Sequence, residues 1–297
     1  MPVTYPPLAP AVTADGTLSI SRFLNSPALL QRRLRTLAEN RFIGDVLLTG
    51  RAAPSGGAVQ FEQGESIFQD RPVEAIEPGA RFPTTSLGQG TSLVAAVRKW
   101  GIDTIVTDEA VRRLLMNPVE RAFAKLTNGV VRQVDVVSLA AINAAVTQTM
   151  AVGVPWATST RILRDILTGV ATIRGLNQGF EPDTLVVSDT TYSVLLSDAT
   201  ISGGLAREDR NNPIYTGQFP VIAGIRILVS PNLPTANTAL LLDSTALGAM
   251  VDEVPLSAGS IRQEDGPTVV EGWVLRAKRV VVPIVQEPGA ALVFTAI

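Results

Sequence analysis

The stretch that decides the fold is residues 117–145, which read NPVERAFAKLTNGVVRQVDVVSLAAINAA. Asn117 and Pro118 are typical of a helix start, because Asn caps free backbone amides and Pro fits the first helical turn. Apolar side chains then recur at steps of three and four residues, at Val119, Phe123, Leu126, Val130, Val134, Val137 and Ala141. This spacing predicts an amphipathic helix over residues 118–145, roughly 40 Å long, whose apolar stripe packs on a core.

Strands and shorter helices are predicted on both sides of this helix. Residues 93–99 and 102–107 have the apolar β-forming pattern of strands, and residues 108–116 have a short helical pattern. Farther along the chain, helical patterns at 159–173 and 190–197 alternate with strand patterns. The later predicted strands are 184–188, 219–229, 239–243, 247–251, 269–275, 280–285 and 290–295. This mixture of elements predicts an α+β protein.

Residues 51–90 differ from the rest of the chain because Gly and Pro interrupt them repeatedly. Short strand-like pieces lie between these interruptions, at 58–63, 65–69 and 81–86. The pattern predicts a long β-hairpin with irregular edges. A hairpin with so few apolar side chains is only marginally stable alone, so we expect it to lie on a partner surface.

The first 25 residues are rich in Pro, Thr and Ala and show little periodicity. We predict an extended arm here, followed by a helix that begins at Ser26-Pro27. The arm has apolar side chains but no core of its own, so we expect four of them to be buried against an adjacent subunit: Leu8, Val12, Leu18 and Ile20. A disordered tail is the alternative interpretation of the same composition.

Composition excludes several classes of function. The chain contains no Cys and no His, which excludes thiol nucleophiles, Cys/His zinc sites and triads that use imidazole as the base. The net charge of −2 gives no bulk attraction to nucleic acid. No phosphate-binding loop is present, and no apolar stretch is long enough to span a bilayer. We therefore expect a soluble protein with no catalytic residue, no cofactor, no metal and no membrane partner.

Four short motifs carry a resemblance to a known family: DVLLTG at 45–50, VTDEA at 106–110, NPVERA at 117–122 and EGWVLR at 271–276. With its order of arm, hairpin, long helix, mixed insert and returning strands, the chain resembles the major capsid proteins of tailed phages. These proteins have the Hong Kong 97-type capsid fold, and those of phages infecting actinobacteria resemble this chain most.

The resemblance implies an α+β capsid fold divided into four parts. Residues 1–50 would be the N-terminal arm and helix, and residues 51–90 the extended loop. Residues 91–147 and 256–297 would form the peripheral domain, with the long helix as its spine. Residues 148–255 would form the axial domain.

The resemblance also implies a function and a set of partners. Subunits would assemble in the host cytoplasm into pentamers and hexamers of an icosahedral shell that becomes the virion capsid and encloses double-stranded DNA. Portal, scaffold and decoration proteins would be partners, with packaged DNA in non-specific proximity. The family's best-known member crosslinks a hairpin Lys to a neighbouring Asn, but residues 51–90 contain no Lys, so this loop cannot form that crosslink.

Two other functions stay open at this stage. An encapsulin-type bacterial nanocompartment shell protein would share the fold but enclose enzymes instead of a genome. An α/β enzyme with a carboxylate site in residues 148–255 would be a monomer or a small oligomer, and it would leave the hairpin unexplained. Particle size in electron micrographs separates the shell proteins from the enzyme.

A charge pattern suggests what holds the hairpin in place. We hypothesise that its acidic residues Glu62, Glu65 and Glu74 lie on a basic surface of the neighbouring subunit. Its apolar residues Phe61, Ile67 and Phe68 would supply hydrophobic contact. The basic candidates are Arg112, Arg113, Arg121, Arg276, Lys278 and Arg279. The alternative is that these acidic side chains are only solvated, because exposed ion pairs contribute little.

Overall fold

The computed structural model describes residues 24, 30–32, 42–52, 54, 56–86, 88–114, 117–198, 201, 221–263 and 272–297. The helices within these residues are α1 (Ile43–Leu47), α2 (Asp108–Leu114), α3 (Asn117–Ala145), α4 (Ile162–Arg174) and α5 (Asp189–Ser197), with a short 3-10 helix at Pro288–Ala290. The strands are β1 (Ala58–Gln63), β2 (Thr91–Ala96), β3 (Arg98–Thr107), β4 (Gln148–Ala151), β5 (Thr184–Val187), β6 (Val221–Ile222), β7 (Ile225–Val229), β8 (Thr238–Leu242), β9 (Gly248–Gln263), β10 (Gly272–Val285) and β11 (Ala291–Thr295).

The chain divides into two compact units, each built from separate stretches of sequence. The first contains Met1–Phe42, Arg98–Val134 and Glu253–Val281, and the second contains Ile43–Val97, Asp135–Asp252 and Val282–Ile297. The predicted division into arm, loop, peripheral and axial parts has other boundaries and stays a prediction.

The first unit contains a three-stranded sheet in the order β3-β10-β9. Strands β3 and β10 are antiparallel, with Val106 opposite Trp273 and Asp103 opposite Arg276. Gly101 allows the two strands to approach, because a Cβ there would lie 3.0 Å from the carbonyl oxygen of Ala277. Residues 272–275 and the predicted strand 280–285 are both parts of the single continuous strand β10, and residues 269–271 of the other predicted strand lie outside the described residues.

The long helix α3 confirms the predicted helix to within one residue. Its first half buries the predicted stripe at Val119, Phe123, Leu126, Val130 and Val134. From Asp135 onward the buried side chains are instead Asp135, Ser138, Leu139 and Ile142, so the predicted Val137 and Ala141 lie beside the buried face.

The second half of α3 buries a different face of the helix, because it packs against α1 within the second unit. The carboxylate of Asp135 accepts hydrogen bonds from the backbone amides of Ile43 and Gly44, at 3.0 and 3.2 Å. These amides begin α1 and have no partner inside that helix. A Cβ at Gly44 would lie 2.5 Å from Oγ of Ser138, so this contact requires glycine.

The second unit is built on a six-stranded mixed sheet in the order β4-β11-β8-β5-β7-β6. Every residue of β5 and β8 is buried, and α4 covers the sheet where Gly169 contacts the ring of Phe294. Strand β11 pairs with β4 and β8, so it belongs to the same sheet as these strands from residues 148–255. Strand β4 was not predicted, because it is only four residues long, lies at a sheet edge and begins with the polar residues Gln148 and Thr149.

The predicted hairpin is wrong in its length and in its second strand. Strand β1 confirms residues 58–63, and it pairs antiparallel with β2, from Ala58 opposite Ala96 to Gln63 opposite Thr91. The described residues between these two strands contain no strand, so the predicted pieces 65–69 and 81–86 are not β-structure. Three prolines and four glycines in this stretch limit ladder hydrogen bonding. Residues 64–90 are called the connecting loop below.

Candidate interaction surface

Nearly all described residues of the connecting loop are exposed, including its large apolar side chains. The exposed fractions are 64% for Ile67, 51% for Phe68, 88% for Val73 and 78% for Phe82. Single exposed apolar residues are common on proteins, but a concentration of them on one segment marks an interaction site. The loop therefore presents an apolar surface that the described residues of this chain leave exposed.

The far end of the connecting loop holds its shape through contacts within itself. Arg71 pairs with Glu74 at 2.9 Å, and Oγ of Ser86 donates to the carboxylate of Asp70 at 2.8 Å. An apolar pocket of about 360 Å³ lies here, and its lining includes Pro72, Val73, Ile76, Phe82 and Pro83. We call the part of the loop formed by residues 69–85 the loop tip. It combines an apolar surface with the exposed carboxylates of Glu74 and Glu77.

The base of the connecting loop is fastened to its own chain. Phe61 is half-buried and packs on a core of Val59, Ala249, Val251 and Ile284. The predicted role of Phe61 in contacting a neighbour stays a prediction, although part of its ring already packs within its own chain.

The predicted acidic residues fall into two groups. Glu74 lies in the loop tip, whereas Glu62 and Glu65 line an open pocket of about 640 Å³ at the loop base. Glu287 lines the same pocket, and burial raises the pKa of its carboxyl group. The amide of Glu65 donates a hydrogen bond that opposes this rise in pKa, and the nearby Glu65 carboxylate adds to it.

Several of the predicted basic residues lie in the first unit around α2 and the start of α3. Arg112, Arg113 and Arg121 are exposed, and Arg113 lies 3.8 Å from the carboxylate of Glu109. A groove of about 310 Å³ lies at this place. We call it the α2–α3 groove, and its lining includes Ile105, Leu114, Pro118, Arg121 and Lys125.

The basic residues of β10 are in other environments. Arg276 forms a two-point ion pair with Asp103, at 2.8 and 2.7 Å, and this hydrogen bonding holds the pKa of Asp103 below its ordinary value. Arg279 is 3% exposed and stacks over the ring of Phe42 at 4.5 Å, so it is part of the first unit's interior. Lys278 is half-buried, and its carbonyl accepts a hydrogen bond from Ser257. Arg279 therefore does not belong to an exposed basic surface.

Sequence reasoning missed the most exposed apolar residues, Val73 and Phe82. Both lie next to a Pro within a segment that has no core, and that signal was available in the sequence. Four other predicted contact residues, Leu8, Val12, Leu18 and Ile20, lie outside the described residues. In the part of the chain that the structure describes, no helix is long and apolar enough to cross a membrane, and no group of acidic side chains is arranged to hold a metal ion.

Comparison with known proteins gives a family and a fold. A family model described as phage capsid protein matches residues 90–294. No curated protein sequence matches the chain.

Three solved structures illustrate the structural similarity. The capsid of cyanophage P-SCSP1u is 16% identical with a TM-score of 0.66, over 86% of this chain and 88% of that one. A virus-like particle from Pyrococcus furiosus is 14% identical with a TM-score of 0.60, over 89% and 97%. A chain from Microbacterium phage Oxtober96 is 13% identical with a TM-score of 0.58, over 86% and 90%. At these identities the similarity shows a shared fold.

Proposed function

This chain belongs to the phage capsid protein family, and we propose that it is the major capsid protein of a tailed phage, assembling into pentamers and hexamers of an icosahedral shell around double-stranded DNA. The predicted resemblance and the α+β capsid fold are confirmed. The observation that carries the proposal is the connecting loop, whose apolar tip is left exposed by the part of its own subunit that the structure describes. A closed shell supplies that cover to every copy.

The domain assignment follows the sequence prediction with one change. We assign residues 148–255 to the axial domain and add β11 to it, because β11 is hydrogen-bonded between β4 and β8. The three-stranded sheet and the first half of α3 belong to the peripheral domain. Residues 51–90 keep their role as the extended loop that lies over a neighbouring subunit.

The α2–α3 groove is the surface on a neighbouring subunit that best fits the loop tip. Its lining has exposed apolar side chains, Ile105 and Leu114, beside the cations Arg121 and Lys125. The loop tip has Val73 and Phe82 beside two carboxylates, so charge and apolar surface are complementary.

Apolar burial would contribute more to this contact than charge. Burying Val73 or Phe82 contributes about 1.5–3 kcal/mol each. An exposed ion pair contributes about 0–1 kcal/mol, so the charges of Glu74 and Glu77 would mainly set the register of the loop.

The remaining parts of the proposal concern the partner proteins and the compartment in which the shell assembles. Assembly would occur in the host cytoplasm, with portal, scaffold and decoration proteins as partners and DNA as the enclosed material. We propose no catalytic role, because a chain without Cys and His lacks the side chains that most catalytic triads and zinc sites use. The similarity to the virus-like particle makes an encapsulin-type shell the second candidate.

Electron microscopy of the expressed chain tests the proposal. Closed shells are the expected result, either from the chain alone or after co-expression with the genes beside it. Monomers or small oligomers under both conditions would contradict a shell function and favour the α/β enzyme. Particles purified from infected cells should contain DNA, whereas protein cargo without DNA would favour the encapsulin-type shell.

A further inference from the structure

The first turns of α4 carry an open apolar groove on the surface of the second unit. Its volume is about 470 Å³, and the described residues of its lining all lie between Thr160 and Ala171. Within it Leu167 is 45% exposed and Leu163 is half-buried, whereas Ile166 lies on the buried face of the same helix. We call this surface the α4 groove, and it is an apolar helix face that the described part of the chain leaves open.

Two cations lie in the lining of the α4 groove. Arg161 and Arg164 are both exposed, and neither guanidinium forms an ion pair within the described residues. Arg174 at the other end of the helix differs from them, because it pairs with Glu181. An exposed apolar groove beside two unpaired cations is complementary to a partner segment that is both apolar and acidic.

The connecting loop contains a segment of that chemistry within the same unit. Ile67 is 64% exposed and Phe68 is 51% exposed, and the exposed acids Glu65 and Asp70 flank them along the chain. Neither acid forms an ion pair with a cation in the part of the chain that the structure describes. We call residues 65–70 the acidic segment, and its charge is opposite to that of the α4 groove.

Hydrogen bonds fix the acidic segment at a different place on the unit from the α4 groove. The amide of Ile67 donates to Oε1 of Gln178 at 3.0 Å, and the amide of Phe68 donates to Oγ of Ser66 at 3.2 Å. Gln178 follows the C-terminal end of α4, whereas Leu167 lies about 10 Å before that end along the helix axis. No described residue of the connecting loop lines the groove, so the two complementary surfaces do not meet within one chain.

We propose that the acidic segment of one copy binds the α4 groove of the next copy, with Phe68 against Leu167 and the two acids of the segment beside the two arginines of the groove. This inference rests on the proposed function, because it requires copies that pack side by side. Two different complementary surfaces on one unit make a head-to-tail contact, which closes into a ring when the rotation between copies allows it. This contact therefore links neighbouring copies within each pentamer and hexamer.

Cysteine crosslinking tests the contact, because the chain has no native cysteine. Phe68→Cys with Leu167→Cys places one thiol on each surface of every copy, and a disulfide forms only when the two Cα atoms lie within about 7 Å. After mild oxidation, shells of this variant should give a ladder of covalent multimers up to pentamers and hexamers on a non-reducing denaturing gel. Each single variant should stay monomeric on the same gel.

Phe68→Cys with Val221→Cys is the matched control, because Val221 is an apolar residue on β6 of the same unit with 64% exposure. It should give no ladder. Shells of the test variant without a ladder, or an equal ladder from the control, would overturn this contact and leave the proposed shell function standing. If the parent chain forms no shells under either expression condition, both proposals are overturned.

A charge exchange keeps the test valid if the cysteine variants do not assemble. Arg161→Glu with Arg164→Glu should raise the protein concentration needed for shell assembly by about two- to ten-fold, as suits the loss of two exposed ion pairs. Adding Glu65→Arg and Asp70→Arg should return this concentration to within about two-fold of the parent value, because the opposite charges then face each other again. An unchanged concentration in the first variant, or no recovery in the combined one, overturns the contact.

Discussion

Apolar side chains are buried in the six-stranded sheet but exposed in the connecting loop. In β5 and β8 every residue is buried, whereas Val73 and Phe82 in the loop are 88% and 78% exposed. Both sets of apolar groups gain free energy when water is removed from them. The sheet achieves this within one chain, and we propose that the loop achieves it against a second chain. The difference separates what stabilises the subunit from what stabilises the assembly.

The largest expected effect tests the sheet side of this comparison. Leu241 in β8 is fully buried between Leu185 and Leu292 on the adjacent strands, and its side chain lies next to Gly169 of α4. Leu241→Ala should lower the free energy of unfolding by about 2–5 kcal/mol, since it leaves a cavity. Denaturant unfolding of the free chain measures this. Val73→Ala is the matched control and should change it by less than about 0.5 kcal/mol. Equal losses in the two variants would mean that the loop is part of the subunit's own core.

The next prediction tests whether the apolar residues of the loop tip stabilise the shell. Val73→Ser with Phe82→Ser should raise the protein concentration needed for shell assembly by more than about tenfold, because each buried side chain contributes about 1.5–3 kcal/mol. Light scattering against concentration gives this value. Val94→Ser is the control, because Val94 is an apolar residue of β2 with 70% exposure outside the loop. If the control variant impairs assembly as much as the loop variant does, the effect is not specific to the loop tip.

A smaller effect concerns the buried carboxylate of Asp243, at the end of β8. Burial alone would raise the pKa of Asp243, but hydrogen bonds from Thr245 and from the amides of Glu181, Thr245 and Ala246 outweigh it and lower the pKa. Asp243→Asn should therefore cost about 1–3 kcal/mol of unfolding free energy at neutral pH.

The pH dependence of this cost has a definite sign. A lowered pKa gives stability that is present above the ordinary aspartate value and is lost as pH falls through the folded value. The difference between Asp243→Asn and the parent chain should shrink in acid, as urea unfolding at a series of pH values would reveal. Glu77→Gln, in the loop, is the control and should leave the unfolding free energy unchanged at every pH. If the free-energy cost of Asp243→Asn stays the same in acid, this account of Asp243 is wrong.

The smallest effect compares the two ends of the connecting loop. Glu74→Lys with Glu77→Lys should weaken the contact by about 0–1 kcal/mol for each ion pair lost. Shells should then dissociate at a lower salt concentration. Combining these changes with Arg121→Glu and Lys125→Glu should return the salt concentration for dissociation to that of the parent shells. Glu62→Lys, at the base, serves as the control and should not be rescued by the groove variant. Shells that respond identically to salt in all variants would leave apolar burial as the whole contact.

The sequence predicted the long helix well because its period is regular and a capping pair marks its start at Asn117-Pro118. It predicted strands at 65–69 and 81–86 wrongly, because β-forming residues between Gly and Pro make strands only when a partner strand is available. Strand β4 was missed because it lies at an edge and is half polar. The buried position of Arg279 could not be predicted, since the ring of Phe42 that covers it is distant in sequence. The arm residues Leu8, Val12, Leu18 and Ile20 stay a prediction.

The position of β11 has a consequence for synthesis on the ribosome. Residues 291–295 insert between β4 and β8, so the six-stranded sheet cannot close before they have been translated. Until then β4 and β8 have open edges, and the subunit lacks its finished shape. A chain that stops before residue 291 would lack the strand that joins β4 to β8, and we expect it not to form this six-stranded sheet.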